Sequence, residues 1–90
     1  MAEIIKVTGE TKLVEPQNGT DFKLKELQEI VGGYIGIAYL SDDEIMVFNE
    51  DGKLEGLQLN QKATERYTAD VYAFDHIVGD VLICKTSQVK

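Results

Sequence analysis

Val31-Gly32-Gly33-Tyr34-Ile35 is the stretch that decides the fold, with Asn49-Glu50-Asp51-Gly52 and Leu59-Asn60 as its answering pieces. Paired glycines followed at once by an apolar, β-branched run mark a sharp turn from helix into strand. One glycine can adopt the left-handed conformation that closes a helix without a Cβ clash. The other, lacking a side chain, lets neighbouring backbone or a ligand come close. The pair therefore predicts architecture first, and a pocket wall only if something binds beside it.

Upstream of the turn, Leu24, Leu27, Ile30 and Val31 fall at helical spacing, with Lys25, Glu26, Gln28 and Glu29 on the outer face. A helix from Lys23 follows, with Thr20 or Asp21 as its N-cap. Before it, Glu3–Thr8 and Thr11–Glu15 alternate and read as a hairpin turning at Gly9, ended by Pro16 and the Asn18-Gly19 loop. Downstream, Tyr34–Leu40 and Glu44–Glu50 flank the tight turn Ser41-Asp42-Asp43 and form the clearest hairpin in the chain. Tyr34, Gly36, Ala38 and Leu40 share one side, where the small pair leaves room for something bulky. Leu57–Leu59 reads as a short extended piece, and Asn60 as the N-cap of a second helix over Gln61–Ala69, with Ala63 and Tyr67 one turn apart facing the sheet. The run Val71–Phe74 fits either a helix end or a strand. Val81–Lys85 is the final strand, and the tail from Thr86 reads as frayed. The predicted fold is α+β: one domain over residues 1–90, a small antiparallel sheet built from two hairpins and a C-terminal strand, with two helices packed on it.

Composition narrows the function. Sixteen acidic against nine basic residues give a net charge of −7, which argues against binding a DNA or RNA polymer or an anionic membrane. A small phosphate ligand needs only a few donors and remains compatible. No apolar run approaches the ~20 residues that span a bilayer. The N-terminus lacks a basic segment followed by a long apolar one, so secretion is not expected. Cys84 is the single cysteine; between apolar neighbours it reads as a buried, inert thiol, and no internal disulfide is possible, which suits the cytoplasm. A chain of this size covers little of its own apolar surface, which favours self-association.

Catalytic and metal signals are weak. There is one histidine, His76, and no zinc-type spacing, P-loop, G-x-S-x-G or G-x-G-x-x-G. Asp75-His76 is a formal base with an orienting carboxylate, but sequence neighbours seldom point at one another, so no catalytic residue, metal or cofactor is assigned. The second helix carries the better binding signal. Arg66, the only arginine, lies four residues after Lys62, and both follow a capped N-terminus whose free N–H groups and dipole favour an anion. With Thr64 and Asn60 they form a candidate phosphate site; the competing reading is a solvated face whose cations pair with acids. Tyr34 and Tyr67 are candidates for stacking on bases, worth ~1–3 kcal/mol each; for Tyr67, as for Tyr39, core packing is the stronger competitor. Asn49, at a strand end, can read a base edge or close an Asx-turn.

The order Leu27-Gln28-Glu29-Ile30-Val31-Gly32-Gly33-Tyr34-Ile35, Asn49-Glu50-Asp51-Gly52-Lys53, Leu57-Gln58-Leu59-Asn60 and Ile77-Val78-Gly79-Asp80 resembles a small domain family found mainly in phages and mobile elements and long labelled as of unknown function. The resemblance covers about Leu24 to Ile83, and Gln58 departs from the proline common before the second asparagine. Proteins resembling this family include anti-CBASS sponges, which bind cyclic dinucleotide immune signals without cleaving them. The resemblance implies a non-catalytic protein of the infected cell's cytoplasm. It also implies a homo-oligomer with pockets near subunit interfaces and a ligand of the cyclic GMP–AMP type. Gly32, Gly33, Tyr34, Asn49, Asn60, Lys62, Thr64, Arg66 and Tyr67 are the candidate ligand residues. The alternative is an accessory module that binds a host protein, possibly as an acidic DNA mimic.

Overall fold

Ile45, Met46, Val47 and Phe48 are consecutive and all apolar, which a strand tolerates only if both its faces are covered. The computed structural model, which describes residues 2–68 and 76–89, shows how this is met. Five strands, β1 (Ala2–Ile5), β2 (Thr11–Val14), β3 (Ile35–Tyr39), β4 (Glu44–Asn49) and β5 (Val81–Lys85), form one antiparallel sheet in the order β2-β1-β5-β4-β3. Helices α1 (Leu24–Val31) and α2 (Gln61–Thr68) supply the two covers.

The period-2 alternation of the strands sorts the core into two layers. Ala2, Ile45, Val47, Leu82 and Cys84 pack with Leu27 and Val31 of α1. Ile5, Met46, Val81 and Ile83 pack with Ala63 of α2 and with Ile77. The helices therefore lie on opposite faces of the sheet, with β4 and β5 between them. Each fully covered aliphatic side chain contributes ~1.5–3 kcal/mol, so these central strands hold most of the apolar stabilisation. The edge strands are barer: Leu13 on β2 and Ile37 and Tyr39 on β3 remain exposed.

Both hairpins form as the sequence predicts. Ala2 pairs with Val14 and Ile5 with Thr11; Ile35 pairs with Asn49 and Tyr39 with Ile45. The bulky occupant of the room beside Gly36 is Phe48, its cross-strand partner, whose ring sits where a Cβ on Gly36 would come within 2.7 Å. Leu59 bridges Val78, so the extended piece before α2 is also present.

Three local expectations are corrected. The first helix is not capped by Thr20 or Asp21. Asn18 Oδ1 accepts the N–H groups of both residues, and Phe22 stays extended because its N–H donates to the Gln88 carbonyl at 2.7 Å. The helix therefore starts at Leu24, with Lys23 as N-cap. Leu24 itself is exposed rather than part of the apolar face. The tail is not frayed up to Val89: Thr86–Gln88 form a 3-10 turn, and Val89 bridges Phe22 in parallel. The end of the second helix at Ala69 and the ambiguous run Val71–Phe74 lie outside the described residues.

Candidate functional site

The double glycine divides its labour. Gly32 takes φ +79° and closes α1, and the N–H groups of both glycines donate to the Gln28 carbonyl at 2.7 and 3.1 Å. Gly33 is the close-approach position: a Cβ there would lie 2.9 Å from Asn49 Nδ2. The group that uses the space is a side chain of the protein itself. Asn49 is 3 % exposed. Its Nδ2 donates to the Val31 carbonyl at the end of α1 and to Glu55 Oε1, while Oδ1 accepts the Asp51 N–H at 2.9 Å. Asn49 thus closes an Asx-turn and caps the helix from across the sheet, which removes it as a reader of base edges.

Asn60 plays the matching part at the start of α2. It is wholly buried, and its Oδ1 accepts the Ala63 N–H at 3.0 Å as the predicted N-cap. Its Nδ2 donates to the Ile5 carbonyl at 2.8 Å and the Gly79 carbonyl at 2.9 Å. With both polar atoms engaged and no exposed surface, Asn60 cannot reach a ligand. Thr64 Oγ1 donates to the Asn60 carbonyl and accepts the Ile77 N–H, so its hydroxyl is a strut as well.

Lys62 and Arg66 do not converge on one anion. Lys62 Nζ donates to the Gly9 carbonyl at 2.9 Å, in the loop between β1 and β2. Arg66 pairs with Glu44 at the start of β4. The paired, solvated reading of this face is the one the geometry matches. Tyr34 is 69 % exposed and stands beside Gln28, Asp51 and Glu55, an acidic neighbourhood unsuited to phosphate. Cys84 is buried, and burial foremost, with Glu44 second, pushes its thiol pKa up to about 11, so it is inert at neutral pH.

Of the candidates, Tyr67 and Asn49 border the same sizeable cavity, and the polar atoms of Asn49 are already engaged within the fold. A cleft of about 450 Å³ opens on the α2 side of the β3–β4 hairpin, within the range of small-molecule sites. Phe48, Tyr67 and His76 line it with rings, Ile77 forms part of its wall, and Lys53 contributes a cation. Tyr39 borders it from the strand, its side chain sharing the other face of the sheet with Ile35 and Ile37. The small residues Gly36 and Ala38 create the hollow: Phe48 lies over Gly36, and Ala38 leaves the space beside it open. Lys53, Phe48 and His76 were not among the residues singled out for binding. The small pair Gly36 and Ala38 was the legible signal for the hollow and for Phe48 over it, whereas Lys53 and His76 had none. Asp75, the proposed orienting partner of His76, lies outside the described residues. Among the described residues no group of three or more His, Cys, Asp or Glu is placed to hold a metal ion. No helix among them is long and apolar enough to cross a membrane.

Fold and cleft together define a small two-faced α+β domain with an aromatic-lined pocket at one edge of its sheet. The chain belongs to the family described as a domain of unknown function, DUF3846, which matches residues 2–89. Comparison with curated proteins and with solved structures finds no match.

Proposed function

We propose that this chain is a non-catalytic phage-type protein that sequesters a cyclic dinucleotide of the cyclic GMP–AMP type, with the cleft between β3–β4 and Tyr67 as the ligand site. The observation that carries this reading is the cleft's lining. Tyr67, Phe48 and His76 offer ring faces around a space large enough for a base, and Lys53 offers a charge for a phosphate. Stacking on such rings is worth ~1–3 kcal/mol per base and needs no catalytic group. The resemblance of the glycine-turn and asparagine motifs to phage sponge proteins points to the same ligand class. The protein would act in the cytoplasm of the infected cell as a homo-oligomer.

A thermal-shift screen against cyclic di- and trinucleotides tests the proposal. Ligand at 100 times its Kd stabilises by about 2.7 kcal/mol, which in a domain of this size raises Tm by about 10–20 °C. Heat release should then return intact nucleotide. No shift with any cyclic nucleotide at millimolar concentration overturns the reading, and recovery of hydrolysed product makes the protein an enzyme instead.

One further feature favours a second reading, a protein-interaction module. On the α1 side, Ile4, Val14 and Ile30 floor a groove rimmed by Glu15, Glu26 and Glu29. This pattern suits a basic amphipathic segment of a host protein. Capture of such a partner that is lost in Glu29→Lys, with no response to nucleotides, would favour it.

A further inference from the structure

The outer edge of β3 differs from the other edge of the sheet. Among the described residues, no segment pairs with it. The strand Tyr34-Ile35-Gly36-Ile37-Ala38-Tyr39 carries no charge and no proline, the devices that normally keep an edge from pairing. The opposite edge has them: β2 contains Lys12, is flanked by Glu10 and Glu15, and ends at Pro16. In a chain of net charge −7, β3 is the edge along which two copies can approach without setting like charges opposite one another.

The hydrogen-bond pattern fixes the register of such a contact. The Leu40 N–H donates to the Glu44 carbonyl, and the Glu50 N–H to the Tyr34 carbonyl, each at 2.9 Å. Alternation along an antiparallel ladder then turns the backbone groups of Gly36 and Ala38 inward as well. Those of Ile35, Ile37 and Tyr39 point outward. We infer that β3 is a self-pairing edge, on which a second copy of this chain docks antiparallel about a two-fold axis at Ile37. This register sets Ile37 opposite the second copy's Ile37 and Ile35 opposite its Tyr39, with each facing pair exchanging two backbone bonds. It also keeps like faces of the two sheets on the same side, as a two-fold axis normal to the sheet requires.

The side chains agree with this pairing. Ile37 and Tyr39 are 39 % and 68 % exposed and share a face with Ile35, so the contact joins aromatic to β-branched residues, a favourable cross-strand combination. Because an aromatic side chain buries ~150–250 Å², the two Tyr39 side chains together cover at most about 300–500 Å², with smaller additions from Ile35 and Ile37. That is below the ~1,600 Å² of a standard stable interface. The dimer is therefore a weak, reversible one.

The inference does not depend on nucleotide binding and is tested without ligand. Sedimentation equilibrium from micromolar to millimolar protein should show a monomer–dimer transition that Ile37→Lys abolishes while keeping a cooperative melt. Under mild oxidation Ile37→Cys should form a disulfide-linked dimer, since facing Cα atoms lie within bridging range, and Cys84 is buried. Tyr39→Cys should not, because two copies of position 39 sit about 13 Å apart along the strands. A wild-type protein that stays monomeric throughout overturns the inference. So does a dimer unaffected by Ile37→Lys, and equal crosslinking of the two cysteine variants overturns the register.

Discussion

Replacing Asn60 with alanine removes a set of contacts that the fold has no means to replace. The Ala63 N–H loses its cap, at about 1 kcal/mol. The buried carbonyls of Ile5 and Gly79 each lose a donor, at about 1–3 kcal/mol apiece. Partial hydration of the vacated space offsets some of this, leaving a net loss on the order of 3–5 kcal/mol. A domain of this length holds roughly 5–13 kcal/mol in total, so Asn60→Ala should remove a large share of it and lower Tm by at least about 12 °C. Asn60→Asp tests the wiring more sharply. It keeps an acceptor for the Ala63 N–H but aims a carboxylate at two carbonyl oxygens, so it should be worse than alanine at neutral pH. Burial and the two carbonyl oxygens facing it raise that carboxyl's folded pKa, so its deficit should narrow as pH falls and the group protonates. Urea titrations followed by circular dichroism at neutral and acidic pH measure both variants. A loss below about 1 kcal/mol for Asn60→Ala, or an aspartate variant as stable as wild type, would refute the argument that Asn60 is a strut.

The two glycines should separate as well. Gly32→Ala meets no neighbouring atom but must hold φ +79°, at about 1–2 kcal/mol. Gly33→Ala drives a Cβ into Asn49, which is pinned by Val31 and Glu55; overpacking of this kind costs about 1–3 kcal/mol and should disturb Asn49. A Gly33→Ala variant whose Asn49 side-chain amide signals in an NMR spectrum match wild type, or a Gly32→Ala variant that shifts them as much, would contradict this division of roles. Glu26 supplies a pH test: N–H groups of Lys23 and then Gln17 hold its carboxyl below the usual carboxylate range. A depressed folded pKa contributes stability above the unfolded pKa of ~4.3 that disappears as pH falls through the folded value. Wild type should therefore exceed Glu26→Gln in stability at pH 7 and match it in strong acid. A gap that stays constant with pH would contradict the assignment.

Much of the fold was legible because its signals are local. The glycine pair, the Asn60 cap and the alternation in Tyr34–Leu40 each need only a few residues of context. The start of α1 was not legible, because Phe22 is held extended by Gln88 and Val89 at the far end of the chain. The candidate site was read less well for a related reason. Asparagine, threonine, lysine and arginine near a helix N-terminus are the same residues whether they hold a phosphate or brace the fold. Only the long-range partners, Ile5 and Gly79 for Asn60 and Glu44 for Arg66, decide between the two. Tyr67 was found because it faces the sheet at helical spacing. Lys53 and His76 reach the cleft from segments with no periodic signal.

The most direct test asks which residues a bound cyclic dinucleotide needs. Isothermal titration calorimetry with cyclic GMP–AMP should be run on wild type, on Tyr67→Ala and Lys53→Ala at the cleft, and on Lys62→Ala and Arg66→Ala outside it. Loss of a stacking ring should weaken binding by roughly 5- to 150-fold, corresponding to ~1–3 kcal/mol. Lys62→Ala and Arg66→Ala should bind like wild type. Binding that survives the cleft substitutions and disappears with Lys62 or Arg66 would contradict the account and return the site to the start of α2.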